Sequence, residues 1–280
     1  MLPSAAALWL LVSACGAVPP VMLRSQCSAL GGRNSPPISS TPYTPSLRGR
    51  SIRVGSSVVG SLPADISQFP WQVSLEALGR HVCGGSVISE TWLLTAAHCF
   101  SLTRNRGLSV RAGTSSRGSG GTQFNVAHKV CHEKHGLTAD YDIAVVSILG
   151  SFFADLKVKP VVLGRSELSG GAGVFVSGWG DMRHGDASSD QLHAVSMTIV
   201  ERSLCNAIYR GLITDRMICA ENTDTGRDVC HGAGGSPLVE GAIQYGIASW
   251  GNGCSSATYP GVYTNVAGLR YWIISTTGMK

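Results

Sequence analysis

Four stretches of the chain hold residue types able to do chemistry. The first is Thr95-Ala96-Ala97-His98-Cys99, and the second is Asp142-Ile143-Ala144, a carboxylate heading an apolar run. The third is the loop Cys230-His231-Gly232-Ala233-Gly234-Gly235-Ser236-Pro237, with Asp228 two residues before it and Ser236 as its one hydroxyl. A histidine, a buried carboxylate and a hydroxyl are the parts of nucleophilic acyl transfer: base, orienting group and nucleophile. The fourth is His128, Cys131, His132 and His135, which are zinc-ligand types. Its core, His132-Glu133-Lys134-His135-Gly136, lacks the H-E-x-x-H spacing, so no metal is expected there.

Groups so far apart in the chain need a rigid scaffold to bring them together. From Val58 onward, short β-branched and aromatic runs alternate with Gly, Ser and Asp clusters: Trp71–Leu75, Ser86–Ile88, Gly173–Val176 and Ile243–Ala248. That spacing predicts an antiparallel barrel or sandwich. Helical periodicity comes only at the end, where Val266, Leu269, Trp272 and Ile273 share one face.

The bulk numbers agree. With 280 residues, 44% hydrophobic, the chain can bury a large core. Only 14% of residues are charged and 35 are Gly, which suits short strands and tight turns. A net charge of +5 is compatible with anionic polysaccharide and falls short of a nucleic-acid-binding signature. Nine cysteines point to an oxidising compartment. Ala5–Val12 is a short apolar run followed by small residues, so residues 1–17 read as a signal peptide cut near Ala17, although no Lys or Arg precedes the run. No later stretch is long and apolar enough to span a membrane. Residues 18–57, rich in Pro, Ser and Gly, read as a disordered arm ending in the basic run Arg48-Gly49-Arg50-Ser51-Ile52-Arg53, which suits trypsin-like processing. No N-x-S/T sequon occurs.

These motifs, taken with Phe69-Pro70-Trp71-Gln72-Val73-Ser74-Leu75, Cys83-Gly84-Gly85-Ser86, Ser249-Trp250-Gly251 and Pro260-Gly261-Val262-Tyr263, resemble the chymotrypsin/trypsin-like serine proteases in the family's order. The resemblance runs from Val58 to the C-terminus, about four-fifths of the chain. It implies an all-β fold over 58–280: two six-stranded antiparallel β-barrels with a C-terminal α-helix. It implies disulfides Cys83–Cys99, Cys205–Cys219 and Cys230–Cys254, each contributing about 2–4 kcal/mol. Cys15 leaves with the signal peptide, so Cys27 and Cys131 remain, and related zymogens tether their propeptide by such a pair. The family's calcium loop corresponds to residues 113–123, which hold no Asp or Glu, so no calcium is expected.

By the same resemblance His98 and Asp142 take the histidine and aspartate positions of the catalytic triad. The family's nucleophile loop reads C-x-G-D-S-G-G-P, which puts Gly234 at the serine and Ala233 at the aspartate that receives the new N-terminus after activation. Gly232 and Gly234 take the oxyanion-hole positions. Ser236 is two residues late, about 6–7 Å along an extended backbone, whereas proton transfer needs heavy atoms about 3 Å apart. The activation site aligns at Ser57 and Val58, without the basic residue the family cleaves after. The specificity pocket corresponds to Asp228, Gly251 and Gly261, which implies recognition of Arg or Lys.

The expectation is a secreted serine protease homologue that lacks its nucleophile, needs no cofactor and acts by binding. Its partner would be a protein presenting a basic segment, in a proteolytic or immune pathway as cofactor, decoy or recognition protein. An active trypsin-like endopeptidase cleaving after Arg or Lys, and a basic heparin-binding surface protein, are the two alternatives.

Overall fold

The computed structural model describes residues 62–101, 107–136, 138–180, 190–222, 233–251 and 259–280. Its strands are β1 Leu62–Pro63, β2 Gln72–Ala77, β3 Arg80–Val87, β4 Trp92–Thr95, β5 Leu108–Ala112, β6 Thr122–Cys131 and β7 Ala144–Ile148. After these come β8 Val162–Leu163, β9 Gly173–Gly178, β10 His193–Val200, β11 Met217–Glu221, β12 Pro237–Glu240, β13 Ile243–Trp250 and β14 Gly261–Asn265. The helices are α1 His98–Ser101, α2 Arg202–Ile208 and α3 Val266–Thr277.

Two six-stranded barrels result, as expected. The first closes in the order β2-β3-β4-β7-β6-β5, and β5 returns to β2. The second runs β9-β10-β11-β14-β13-β12 and closes through β12–β9. Closure leaves few exposed strand edges to pair with other chains. β1 adds to β10, and β8 lies parallel to β13. The apolar runs read from the sequence fall inside β2, β3, β9 and β13 and supply the interior: Val73, Leu75, Val87, Val174, Val176 and Ile247 are buried. α3 buries Val266, Leu269 and Ile273. It starts at Asn265, whose side chain caps the Gly268 N–H, and ends at Gly278, whose positive φ of 69° suits a left-handed C-cap.

Buried hydrogen bonds join the barrels. Ser86 Oγ donates to Gln244 Oε1 at 2.6 Å, Ser177 Oγ to Gln72 Oε1 at 2.7 Å, and the Gly84 N–H to the Gly234 carbonyl at 2.9 Å. Such groups are costly to bury unpaired, so these bonds fix the seam between the barrels. The predicted signal peptide, the arm, Ser57 and Val58 lie outside the described residues.

Candidate active site at the barrel seam

His98 sits at the start of α1, directly after β4. The Cys83–Cys99 disulfide ties that turn to β3. Asp142 lies just before β7 and is almost fully buried, at 2% exposure. The His98 backbone N–H donates to Asp142 Oδ1 at 2.8 Å, and the ring Nδ1 bonds to Oδ2 at 2.7 Å. These two bonds orient the imidazole, leaving Nε2 toward the second barrel.

The second barrel holds the carboxylate from the other side. Ser249 Oγ on β13 donates to Asp142 Oδ2 at 2.5 Å, and Thr264 Oγ1 on β14 donates to the Asp142 carbonyl at 2.7 Å. Burial opposes ionisation of Asp142, but the His98 charge and the bonds from His98 and Ser249 outweigh it and hold the pKa below its ordinary value. Burial likewise opposes the imidazolium. The Asp142 charge and hydrogen bond overcome it, and the pKa of His98 is raised.

The segment carrying Asp142 is braced. Asp140 accepts from Arg216 Nη2 at 2.6 Å, from Arg216 Nε at 3.2 Å and from Thr214 Oγ1 at 2.9 Å. Tyr141, at a positive φ of 54°, packs its ring 4.5 Å from His132, which stacks 4.9 Å from Trp272 of α3. Arg216 covers the other part of the stack, 4.9 Å from the Tyr141 ring centre. His132 thus serves packing: its Nδ1 accepts the Lys134 N–H at 3.1 Å. Cys131 is disulfide-bonded and offers no thiolate for zinc. Its partner, for which Cys27 was the candidate, lies outside the described residues.

Gly234 precedes β12 and faces His98 across the seam. A Cβ built on Gly234 falls 2.4 Å from His98 Nε2 and 3.0 Å from Cε1. Position 234 therefore aims its side-chain direction at the base, where a nucleophile would have to stand. Ser236 does not replace it. Its Oγ points at Gly84, where an added Cβ would lie 2.2 Å away, and it is fully buried without a hydrogen-bond partner among the described residues. The neighbour Gly235 has a φ of +79°, and a Cβ there would meet Thr95 Oγ1 at 2.2 Å and the Gly84 carbonyl at 2.5 Å. That close approach locks the loop and its register.

Ala233 is buried, at 2% exposure. Gly251 and Gly261 lie side by side: a Cβ on Gly251 would make ordinary contact with the Gly261 Cα at 3.9 Å. The Cys205–Cys219 disulfide joins α2 to β11. Asp228, Cys230, Gly232 and Cys254 lie outside the described residues. Sequence reading missed Ser249 and Thr264 as supports of Asp142: both lie beside quoted motifs, but no local pattern ties either to the aspartate.

The Trypsin family profile matches residues 58–273. The chain belongs to the trypsin family. It is 39% identical to trypsin delta of Drosophila melanogaster over 260 residues, covering 91% of this chain and 97% of that one. It is 42% identical to trypsin alpha of Drosophila erecta over 224 residues, covering 78% and 87%. Among solved structures it is similar to neuropsin, a serine protease expressed in the limbic system of mouse brain, at 31% identity and a TM-score of 0.72, covering 79% of this chain and all of that one. Within this trypsin-family chain, the orienting pair His98–Asp142 is assembled and the residue facing it has no side chain.

Proposed function

We propose that this trypsin-family protein is a secreted pseudoprotease that binds a basic segment of a partner protein without cutting it. The single observation carrying the reading is Gly234, whose side-chain direction lies 2.4 Å from His98 Nε2. Acyl transfer needs an oxygen there. In an unrelated fold with the same triad, loss of the serine costs about 10⁶ in turnover. The near contact also supports a second statement: the imidazole occupies the space where a side chain at position 234 would begin. Ala233 in place of a carboxylate supports a loop that no longer depends on proteolytic activation.

Binding would rest on Asp228 as the carboxylate for Arg or Lys, with Gly251 and Gly261 as the small residues of the pocket walls. The signal-peptide pattern and the disulfides support secretion. Charge favours a cleft over a basic surface. The formal excess of +5 equals the five arginines of segment 18–57, Arg24, Arg33, Arg48, Arg50 and Arg53, which holds no Asp or Glu. Residues 58–280 therefore balance.

Two measurements test the proposal. The wild type takes no covalent label from a fluorophosphonate probe, and labelling at the rate of an ordinary trypsin would refute it. Capture of partners by the mature domain weakens on Asp228→Ala; capture that ignores this change would place binding elsewhere. Salt-sensitive heparin binding unchanged by Asp228→Ala would favour the basic-surface alternative.

A further inference from the structure

A groove of about 430 Å³ lies on the first barrel, between the turn before β2 and the segment that follows Phe152–Ala154. One wall holds Asp65, Ile66 and Pro70; the other holds Leu156, Lys157 and Lys159. The walls are joined by a backbone hydrogen bond from the Lys159 N–H to the Pro70 carbonyl at 3.1 Å, and the Ile66 N–H is tied to Ser115 Oγ at 2.8 Å. The groove is therefore preformed.

We propose that this groove docks an acidic, apolar segment of a partner protein. Leu156 is 91% exposed, a large aliphatic side chain held in water at the rim. Lys157 and Lys159 are both exposed and flank buried Val158, which anchors the turn that carries them. Lys157 lies within electrostatic reach of Asp65, and neither lysine side chain forms a direct ion pair or hydrogen bond among the described residues. An extended segment can seat an apolar side chain against Ile66, Pro70 and Leu156 while its carboxylates reach the two lysines. Its backbone N–H then faces Asp65, whose Oδ1 already accepts the Ser67 N–H at 2.9 Å.

The charges select this occupant. The chain's own segment 18–57 carries five arginines and no carboxylate, so it would bring like charge to the lysines. A flat anionic bilayer would leave the concavity unfilled. The groove's chemistry is separate from the cleft at His98, so each reading can fail without the other.

The test is a subtractive selection. A displayed library of random peptides is panned on the full secreted protein and depleted on a Leu156→Ser, Lys157→Glu, Lys159→Glu variant. The three residues are solvent-exposed, and an unchanged thermal unfolding curve verifies the variant's fold. Selected segments are expected to combine Asp or Glu with Leu, Ile or Phe. As synthetic peptides they should bind the variant at least about tenfold more weakly and lose affinity with added salt. No enrichment, or enrichment of neutral or basic segments, overturns the proposal. So does flotation of wild type but not variant with phosphatidylserine vesicles, or a dimer that the variant abolishes.

Discussion

Replacing Gly234 with Ser restores the missing oxygen, and the structure sets the cost. The new Cβ would stand 2.4 Å from His98 Nε2, while ordinary contact begins at 3.4 Å. Ring or loop must therefore give by about 1 Å. The ring is not free to do so, because Asp142 holds its backbone N–H at 2.8 Å and Nδ1 at 2.7 Å. A hydrogen bond to a charged group contributes about 1.5–3 kcal/mol, and part of that is lost. In the other direction, Gly234 lies outside the left-handed region, so a side chain there restricts the unfolded chain and returns about 0.4–1 kcal/mol. The net expectation for Gly234→Ser is destabilisation by about 1–2 kcal/mol. In a domain of this size that lowers the midpoint of thermal unfolding by roughly 2–8 °C. Calorimetry at pH 8 reads the shift, and fluorophosphonate labelling reads the oxygen. Labelling is expected in Gly234→Ser combined with Ala233→Asp and an Arg placed before Val58, and is absent in the wild type. A variant more stable than the wild type would refute the claim that His98 occupies the nucleophile's space.

Three further outcomes follow from the same geometry. His132 and His98 act oppositely on stability: burial lowers the pKa of His132, so its share is lost as pH falls below about 6.5. The raised pKa of His98 makes its share complete below about 6.5 and lost as pH rises through the folded value; urea titrations should show His132→Phe flattening the acid limb and His98→Gln the alkaline one. Ala233→Asp in the uncleaved chain buries a carboxylate without a partner and is expected to cost about 3–5 kcal/mol in urea unfolding, recovered in part once cleavage supplies a new amine at Val58. Gly84→Ala places a Cβ 2.2 Å from Ser236 Oγ, so it should destabilise strongly, and Ser236→Gly should relieve it with a coupling of about 0.5–3 kcal/mol in a double-mutant cycle.

Much of the scaffold was legible because its signals are local. Alternation in Gly173–Val176 follows from the two faces of a strand, and the α3 stripe from the helical repeat, while Trp71–Leu75 is buried on both faces. The family resemblance implied Cys83–Cys99 and Cys205–Cys219, and both are formed. The supports of Asp142 were not legible. Ser249 and Thr264 lie 107 and 122 residues away from it, and nothing local to either announces the contact. The His128–His135 cluster carried zinc-ligand types, yet His132 turned out to be the middle of an aromatic stack, since α3 returns from the far end of the chain to place Trp272 on it.

The loop at residues 230–237 divides in the same way. Sequence alone determined which residue types are present: no serine at position 234 and no carboxylate at 233. Covalent identity is a property of the chain, and no folding can supply an absent oxygen. Only the tertiary structure decided which way each position points. The positive φ of Gly235 and its contact with Thr95 turn Ser236 toward Gly84 and aim Gly234 at His98. Those directions depend on the packing of the two barrels against each other, which brings together segments distant in the chain.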